Sequence, residues 1–288
     1  MIRPTLLATL IALTLGACAS APTDQKSGTS KPADKGSTNS LSALGSALSS
    51  GSNSSGASKE DNKIGAVGDL MSAASVSEAE LKSASLQQMK YSDKKSKVAP
   101  AGNKYAARLA RLTAKHVNED GMKLNFKVYL TKDVNAFAAP DGSIRVYAGL
   151  MDLMDDDELR SVIGHEIGHV KHGHSLNALR TAYVASAARK AAASTDGTVG
   201  VLADSQLGAL AEAVVGSQFS QSQETQADDY GYEFMKKHKY KAAAMESAFR
   251  KLAKAGGGNN SLLAKMLSSH PDPSGRADRV KDKVAKGQ

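Results

Sequence analysis

Four of the seven histidines fall within ten residues, His165-Glu166-Ile167-Gly168-His169-Val170-Lys171-His172-Gly173-His174, and the first five of these residues read HExxH. On an α-helix, residues four apart leave one face, about 40° apart in azimuth and about 6 Å apart along the axis. Two imidazoles so placed can converge on one metal ion. Glu166, about 100° around from His165, can reach a water beside that metal without being a ligand. The chemistry this allows is hydrolysis. Zinc makes water acidic and polarises a carbonyl, Glu166 takes the proton and returns it to the leaving amine, and the oxyanion needs a further donor.

Two histidines leave such a site incomplete, because a catalytic zinc takes three protein ligands and keeps a fourth position open. Glycine and histidine three and six residues after His169 would complete one familiar arrangement, but positions 172 and 175 hold His and Ser. The other common arrangement takes a glutamate from a later helix, and Glu224-Thr225-Gln226-Ala227-Asp228 supplies it. Glu224 is therefore read as the third ligand, with one zinc per chain. Asp228, one helical turn on, would accept a hydrogen bond from the far ring nitrogen of a ligand histidine and fix its tautomer. Spacing does not separate Asp228 from Asp229; facing geometry favours Asp228.

These side chains need elements to hold them. The acids of Asp155-Asp156-Asp157-Glu158 suit a helix N-terminus, and that helix should run to about His172. A second, from about Ser222 to Lys237, carries Glu224. Upstream, Ser77-Glu78-Ala79-Glu80 is a capping box opening a helix to about Ser92, and another helix is expected from Lys104 to about Val117. Leu124, Phe126, Val128 and Leu130 alternate with polar neighbours and Tyr129, the pattern of a half-buried strand. Residues 135–138 and 143–147 flank Pro140-Asp141-Gly142 and read as a β-hairpin. Residues 176–193 and 204–219 are Ala-rich helical stretches, suited to close helix packing or to a hairpin that touches a membrane or gates substrate. Helices from Ala242 to Ala255 and from near Ser274 follow. The fold class is α+β, mainly α. His172 is expected to face solvent and His174 to bond at the helix end, with His116 and His238 as surface residues of Lys-rich helix ends.

The chain resembles the HtpX- and CAAX-prenyl-endopeptidase-type zinc metallopeptidases, and among them the small outer-membrane lipoprotein branch. The resemblance runs from about Tyr91 to Val280. It rests on residues 133–138, 144–150 and 162–169, on Ser217-Gln218-Phe219-Ser220 leading into Glu224 to Asp228, and on His270-Pro271 followed by Arg276. It implies a gluzincin endopeptidase in which His165, His169 and Glu224 bind zinc, Glu166 is catalytic, and the role is cell-envelope protein quality control. The His-Pro element implies a site role for His270, either stabilising the oxyanion or capping the zinc at rest. Arg276 would contact substrate or hold a carboxylate. In gluzincins a sheet edge binds the substrate backbone as an added strand; here Asn135 and Ala136 would hydrogen-bond it, making recognition largely independent of sequence.

The amino-terminal third does something else. The first of the 13 aromatic residues is Tyr91, so residues before about 64 lack the side chains that anchor a core. Met1 to Ala17, with Arg3 ahead of an apolar run too short to span a bilayer, reads as a signal peptide. Leu15-Gly16-Ala17-Cys18 has the form of a bacterial lipobox, with the lone cysteine, Cys18, lipidated. Ala19 in place of aspartate favours the outer membrane, with the catalytic domain facing the periplasm. Residues 18–63 form a Ser/Gly-rich tether of root-mean-square reach about 35–40 Å, and residues 64–288 the peptidase domain. One cysteine excludes a disulfide framework and a multi-cysteine zinc site. The formal charge of +8 is spread over the whole chain among 29 acids, with no nucleic-acid module, so no nucleic-acid partner is expected. The expected substrates are unfolded or misassembled envelope proteins. An alternative of a different class is a metal-binding, chaperone-like or scaffold lipoprotein with latent peptidase activity, against which the intact Glu166 argues.

Overall fold

A three-stranded sheet lies between two sets of helices. A computed structural model of the chain describes residues 75–193, 204–256 and 261–287, and the signal, lipobox and tether expectations lie outside that range. In chain order the elements are α1 (Glu78–Lys95), α2 (Lys104–Thr113), β1 (Asn118–Glu119), β2 (Met122–Lys123), β3 (Asn125–Tyr129), β4 (Ala136–Ala138) and β5 (Ser143–Tyr147). Then follow α3 (Ala148–Leu153), α4 (Asp156–Lys171), α5 (His174–Ala193), α6 (Asp204–Val215), α7 (Gln221–Lys237), α8 (Ala244–Gly256), α9 (Ala264–Ser269) and α10 (Pro273–Ala285). The fold is mainly helical with a small sheet. Among the described residues no helix is long and apolar enough to cross a membrane.

The sheet has the order β3-β5-β4. β4 and β5 form the expected antiparallel hairpin, and β3 pairs in parallel with β5, Phe126 opposite Ile144 and Val128 opposite Val146. Both faces are covered. On one, Val128, Ile144 and Val146 pack with Ile163 and Ile167 of α4 and with Phe234 and Met245. On the other, Tyr129 and Phe137 meet Leu81 and Met89 of α1, Leu179 of α5 and Leu210 and Val214 of α6. The half-buried strand of the sequence reading holds at Asn125 and Lys127, but Tyr129 is 4% exposed, because the Ala-rich helices and α1 supply a second layer over it. Arg145, in the central strand, is buried too. Its guanidinium holds Asp93 of α1 through two bonds of 2.9 and 3.0 Å, and Lys127 and Tyr129 donate to the same carboxylate.

Two further expectations fail for a common reason. The helix expected to reach Val117 ends at Thr113, because a tight hairpin follows it. Asp120 and Gly121 take positive φ (48° and 80°) and join β1 to β2, the turn chemistry that an Asp-Gly pair favours. His116 is not a surface residue, and His238 is only partly exposed. His116 is 1% exposed, bonded to Glu119 of β1 and wedged among Phe234, His238 and Tyr240, three rings more than a hundred residues away in sequence.

Helix α4 is fixed at its start. Asp155 and Glu158 form a reciprocal capping box there, and Glu158 also accepts from Ser247 and Lys251 of α8. Its close partner is α7. A Cβ at Gly164 would meet the Phe234 ring at 2.7 Å, and one at Gly168 would sit 3.0 Å from Cα and O of Ala227. These two glycines let the helix axes approach more closely than side chains would allow, which brings Glu224 and Asp228 within reach of the histidines.

Candidate functional site

The α4–α7 contact buries His165, Glu166, His169, Glu224 and Asp228, each at most 3% exposed. His165 and His169 leave α4 from one face, their Nε2 atoms 3.0 Å apart. Glu224, on the first turn of α7, puts its carboxylate 3.2 Å from His169 Nε2 and 3.7 Å from His165 Nε2. His270 arrives from the residue that ends α9, its Nδ1 3.1 Å from Glu224 and 3.3 Å from His165. One ligating atom from each of these four residues lies within 4.8 Å of all the others.

Hydrogen-bond partners fix the tautomers. His165 Nδ1 donates to Asp228 Oδ1 at 2.9 Å. His174 Nε2 donates to Gln226 Oε1 at 3.3 Å, so its Nδ1 is free to accept from His169 Nδ1 at 3.1 Å. Both Nε2 atoms therefore present lone pairs to one point beside an ionised carboxylate. Burial would raise the Glu224 carboxyl, but His165, His270 and His169 hold it far below the usual carboxylate range. Burial pushes His169 well down, toward the neutral form a metal requires. Three electron-pair donors aimed at one buried point repel one another unless a cation lies among them. The residues present thus fit a metal ion.

Arg276 and Arg279 of α10 complete the frame. Arg276 is buried and reaches Glu224 Oε2 at 2.6 Å and both oxygens of Asp228 at 2.6 and 2.9 Å; Arg279 bonds Asp228 from outside. Burial opposes ionisation of Asp228, but Arg276 and His165 outweigh it and bring its carboxyl down to about 2. Of its two possible uses, Arg276 holds carboxylates. Asp229 faces outward and pairs with Lys283. Glu166 projects beside the cluster, its buried Oε1 without a hydrogen-bond partner and 3.7 Å from His270 Nε2.

Asn135 and Ala136 part ways. The Asn135 carbonyl accepts from Tyr147 N inside the sheet, so the backbone role expected of it is already taken, while its buried side-chain amide has no hydrogen-bond partner. By the alternation of an antiparallel pair, the N–H and C=O of Ala136 and Ala138 point to the other, outer edge of β4. Phe219 lies in the Ser217–Ser220 segment of the resemblance, but the sequence alone assigns it no role. It stacks on His169 with ring centroids 3.8 Å apart and walls the cluster from a groove of about 410 Å³ between α5 and α6. His174 lines the same groove, and its bond to His169 shows what a histidine five residues past a ligand can do. His172 is exposed at the helix end.

A helix bearing HExxH, clasped against a second helix bearing an inward glutamate, defines a class of metal-dependent peptidases. The sequence model of peptidase family M48 matches residues 101–284, and the chain belongs to that family and is a metalloendopeptidase. It is 44% identical to the metalloprotease LoiP of Escherichia coli K12 over 75% of its length and 85% of that protein's. It is 39% identical to the metalloprotease YcaL of the same organism, over 75% of its length and 84% of that protein's. A more distant relative, 27% identical over 58% of this chain and 36% of its own length, is the beta-barrel assembly-enhancing protease of Yersinia pestis.

Proposed function

We propose that the protein is a zinc endopeptidase of the bacterial cell envelope, anchored at the outer membrane through lipidated Cys18 and acting on unfolded or misassembled envelope proteins. The observation that carries the catalytic part is the convergence of His165, His169, Glu224 and His270 on one buried point. His165, His169 and Glu224 would hold the zinc, with Asp228 and His174 orienting the imidazoles. Zinc in this set supplies Lewis acidity to a water molecule and to the scissile carbonyl. Glu166 takes the water's proton on its unpartnered carboxylate oxygen and passes it to the leaving nitrogen.

His270 Nδ1 lies beside Glu224 and His165, within reach of a metal ion held there. Its contact with Glu224 supports the resting cap over the oxyanion donor, and peptide binding then requires His270 to swing aside. The outer edge of β4 offers the Ala136 and Ala138 backbone for an added strand, and the Asn135 side-chain amide is the further donor available beside it. Envelope placement is supported by the lipobox form of residues 15–18 and by the name of the Yersinia relative.

The test compares the purified protein with Glu166→Gln for zinc content and for cleavage of an unfolded protein. Equal zinc in both, with cleavage reduced by about 10²–10⁴ in the variant, is expected for loss of a general base. Equal cleavage would overturn the mechanism. Full zinc loading with no cleavage by either protein would favour a binding lipoprotein. Cys18→Ser should release the protein from lipid.

A further inference from the structure

A second cluster of metal-ligating side chains lies at the far end of α7. From Glu224 in the first turn to His238, the residue that caps the C-terminus, α7 rises about 20 Å. There the β1–β2 hairpin folds against the helix end. Glu119 of β1 directs one carboxylate oxygen at His116 Nδ1 (2.9 Å) and the other at His238 Nε2 (3.0 Å). The rings of His116 and His238 stand edge to face, centroids 4.5 Å apart, against Phe234. His116 and Glu119 are buried, while His238 is 21% exposed at the side chain and leaves one side of the cluster open to solvent.

We propose that His116, Glu119 and His238 form a second zinc-binding site, distinct from the HExxH site, that pins the β1–β2 hairpin to the C-terminal end of α7. This inference does not rest on the catalytic reading. Three observations carry it. First, one atom from each residue lies within 4.8 Å of the other two, and Glu119 already stands 2.9 and 3.0 Å from the two imidazole nitrogens, close to the spacing of about 3.3 Å between the ligands of a tetrahedral zinc with bonds of about 2.0–2.1 Å. Two imidazoles and a carboxylate with one side open to water are a donor set that zinc accepts.

Second, the outer partner is already in place. His116 Nε2 lies 2.9 Å from the Tyr240 hydroxyl. With Nδ1 on the metal, Nε2 carries the proton and donates to that oxygen, the arrangement that orients a ligand histidine.

Third, the cation now on Glu119 is replaceable. Lys237 Nζ sits 2.6 Å from Glu119 Oε1 and equally 2.6 Å from Asp120 Oδ1, on a side chain 52% exposed. When zinc takes Glu119, the ammonium keeps Asp120, whose other oxygen accepts from Tyr230. The site should therefore be a competition between a lysine and a metal ion.

Zinc alone is the probe, with bound metal counted by equilibrium dialysis of the full chain. Wild type should hold two zinc ions per chain. His238→Asn, at the open rim where folding is least at risk, and Glu119→Gln should each hold one and keep cleaving. Lys237→Met removes the competitor and should tighten the second site about tenfold, whereas a purely structural ion-pair network could only lose stability by the same change. One zinc in wild type, unaffected by His238→Asn, would overturn the proposal. So would two zinc ions in wild type and in both ligand variants alike, or a Lys237→Met protein with no gain in affinity.

Discussion

Two helix pairs in this molecule are built from small residues and come to opposite ends. In α4 and α7, Gly164, Gly168 and Ala227 let the helices close until charged side chains occupy the remaining space, and Phe234 and Arg276 seal it. In α5 and α6, Ala178, Ala182, Ala185 and Ala213 leave a groove of about 410 Å³ with Phe219 at its inner end. Small side chains alone set neither outcome. The first pair is tied by the His165–Asp228 hydrogen bond and by the α10 guanidinium groups that pair with Glu224 and Asp228, whereas the second packs apolar side chains against the sheet. One becomes a clamp for the chemistry and the other a channel beside it.

The largest expected effect comes from wedging the clamp. Gly168→Val places a branched side chain where a Cβ already stands 3.0 Å from Ala227 backbone atoms. Overpacking of this kind costs about 1–3 kcal/mol, and the displacement of Glu224 should abolish retention of the HExxH-site zinc in dialysis against a chelator. Full retention would show that the pair tolerates separation. Asp228→Asn should weaken zinc about 10–100-fold, because the amide no longer accepts as a charge from His165. Acid should act on the same point in the metal-free protein. The Asp228 carboxyl is lowered to about 2 from 3.8, so its contribution is complete above about pH 4 and fades as pH falls toward 2. Asp228→Asn should flatten that part of a stability-against-pH curve, and an unchanged curve would refute the linkage.

Smaller effects distinguish the clamp's rim from the channel. His174→Ala should loosen zinc by roughly tenfold, with partial recovery in His174→Gln, whose carbonyl can accept from His169. Equal affinity for all three proteins would remove His174 from the positioning network. The mildest change is expected in the groove. Ala185→Leu should leave zinc content as it is and shift only KM for an unfolded protein, by a few-fold; a fall in zinc content would show that channel and clamp are not separable.

What the sequence disclosed depended on how local the cause was. HExxH and the Glu224–Asp228 pair could be read because helical periodicity alone puts each set on one face. The capping boxes at Ser77 and Asp155 are equally local. The parallel pairing of β3 with β5 was not legible, since a tight turn announces only the β4–β5 hairpin. His116 was misread because flanking lysines describe the neighbourhood in sequence, while its burial is decided by Phe234, His238 and Tyr240 arriving from more than a hundred residues away. The Asp120-Gly121 turn signal was present, but the helical pattern before it extends close enough to obscure it.

The guanidinium groups that steady Glu224 and Asp228 both come from α10. A chain cut before Arg276 keeps His165, Glu166, His169 and Glu224 yet loses the cations that let two buried carboxylates share so small a space. A clip just ahead of Arg276 should thus disarm the centre while leaving the HExxH helix and its carboxylate partner in place.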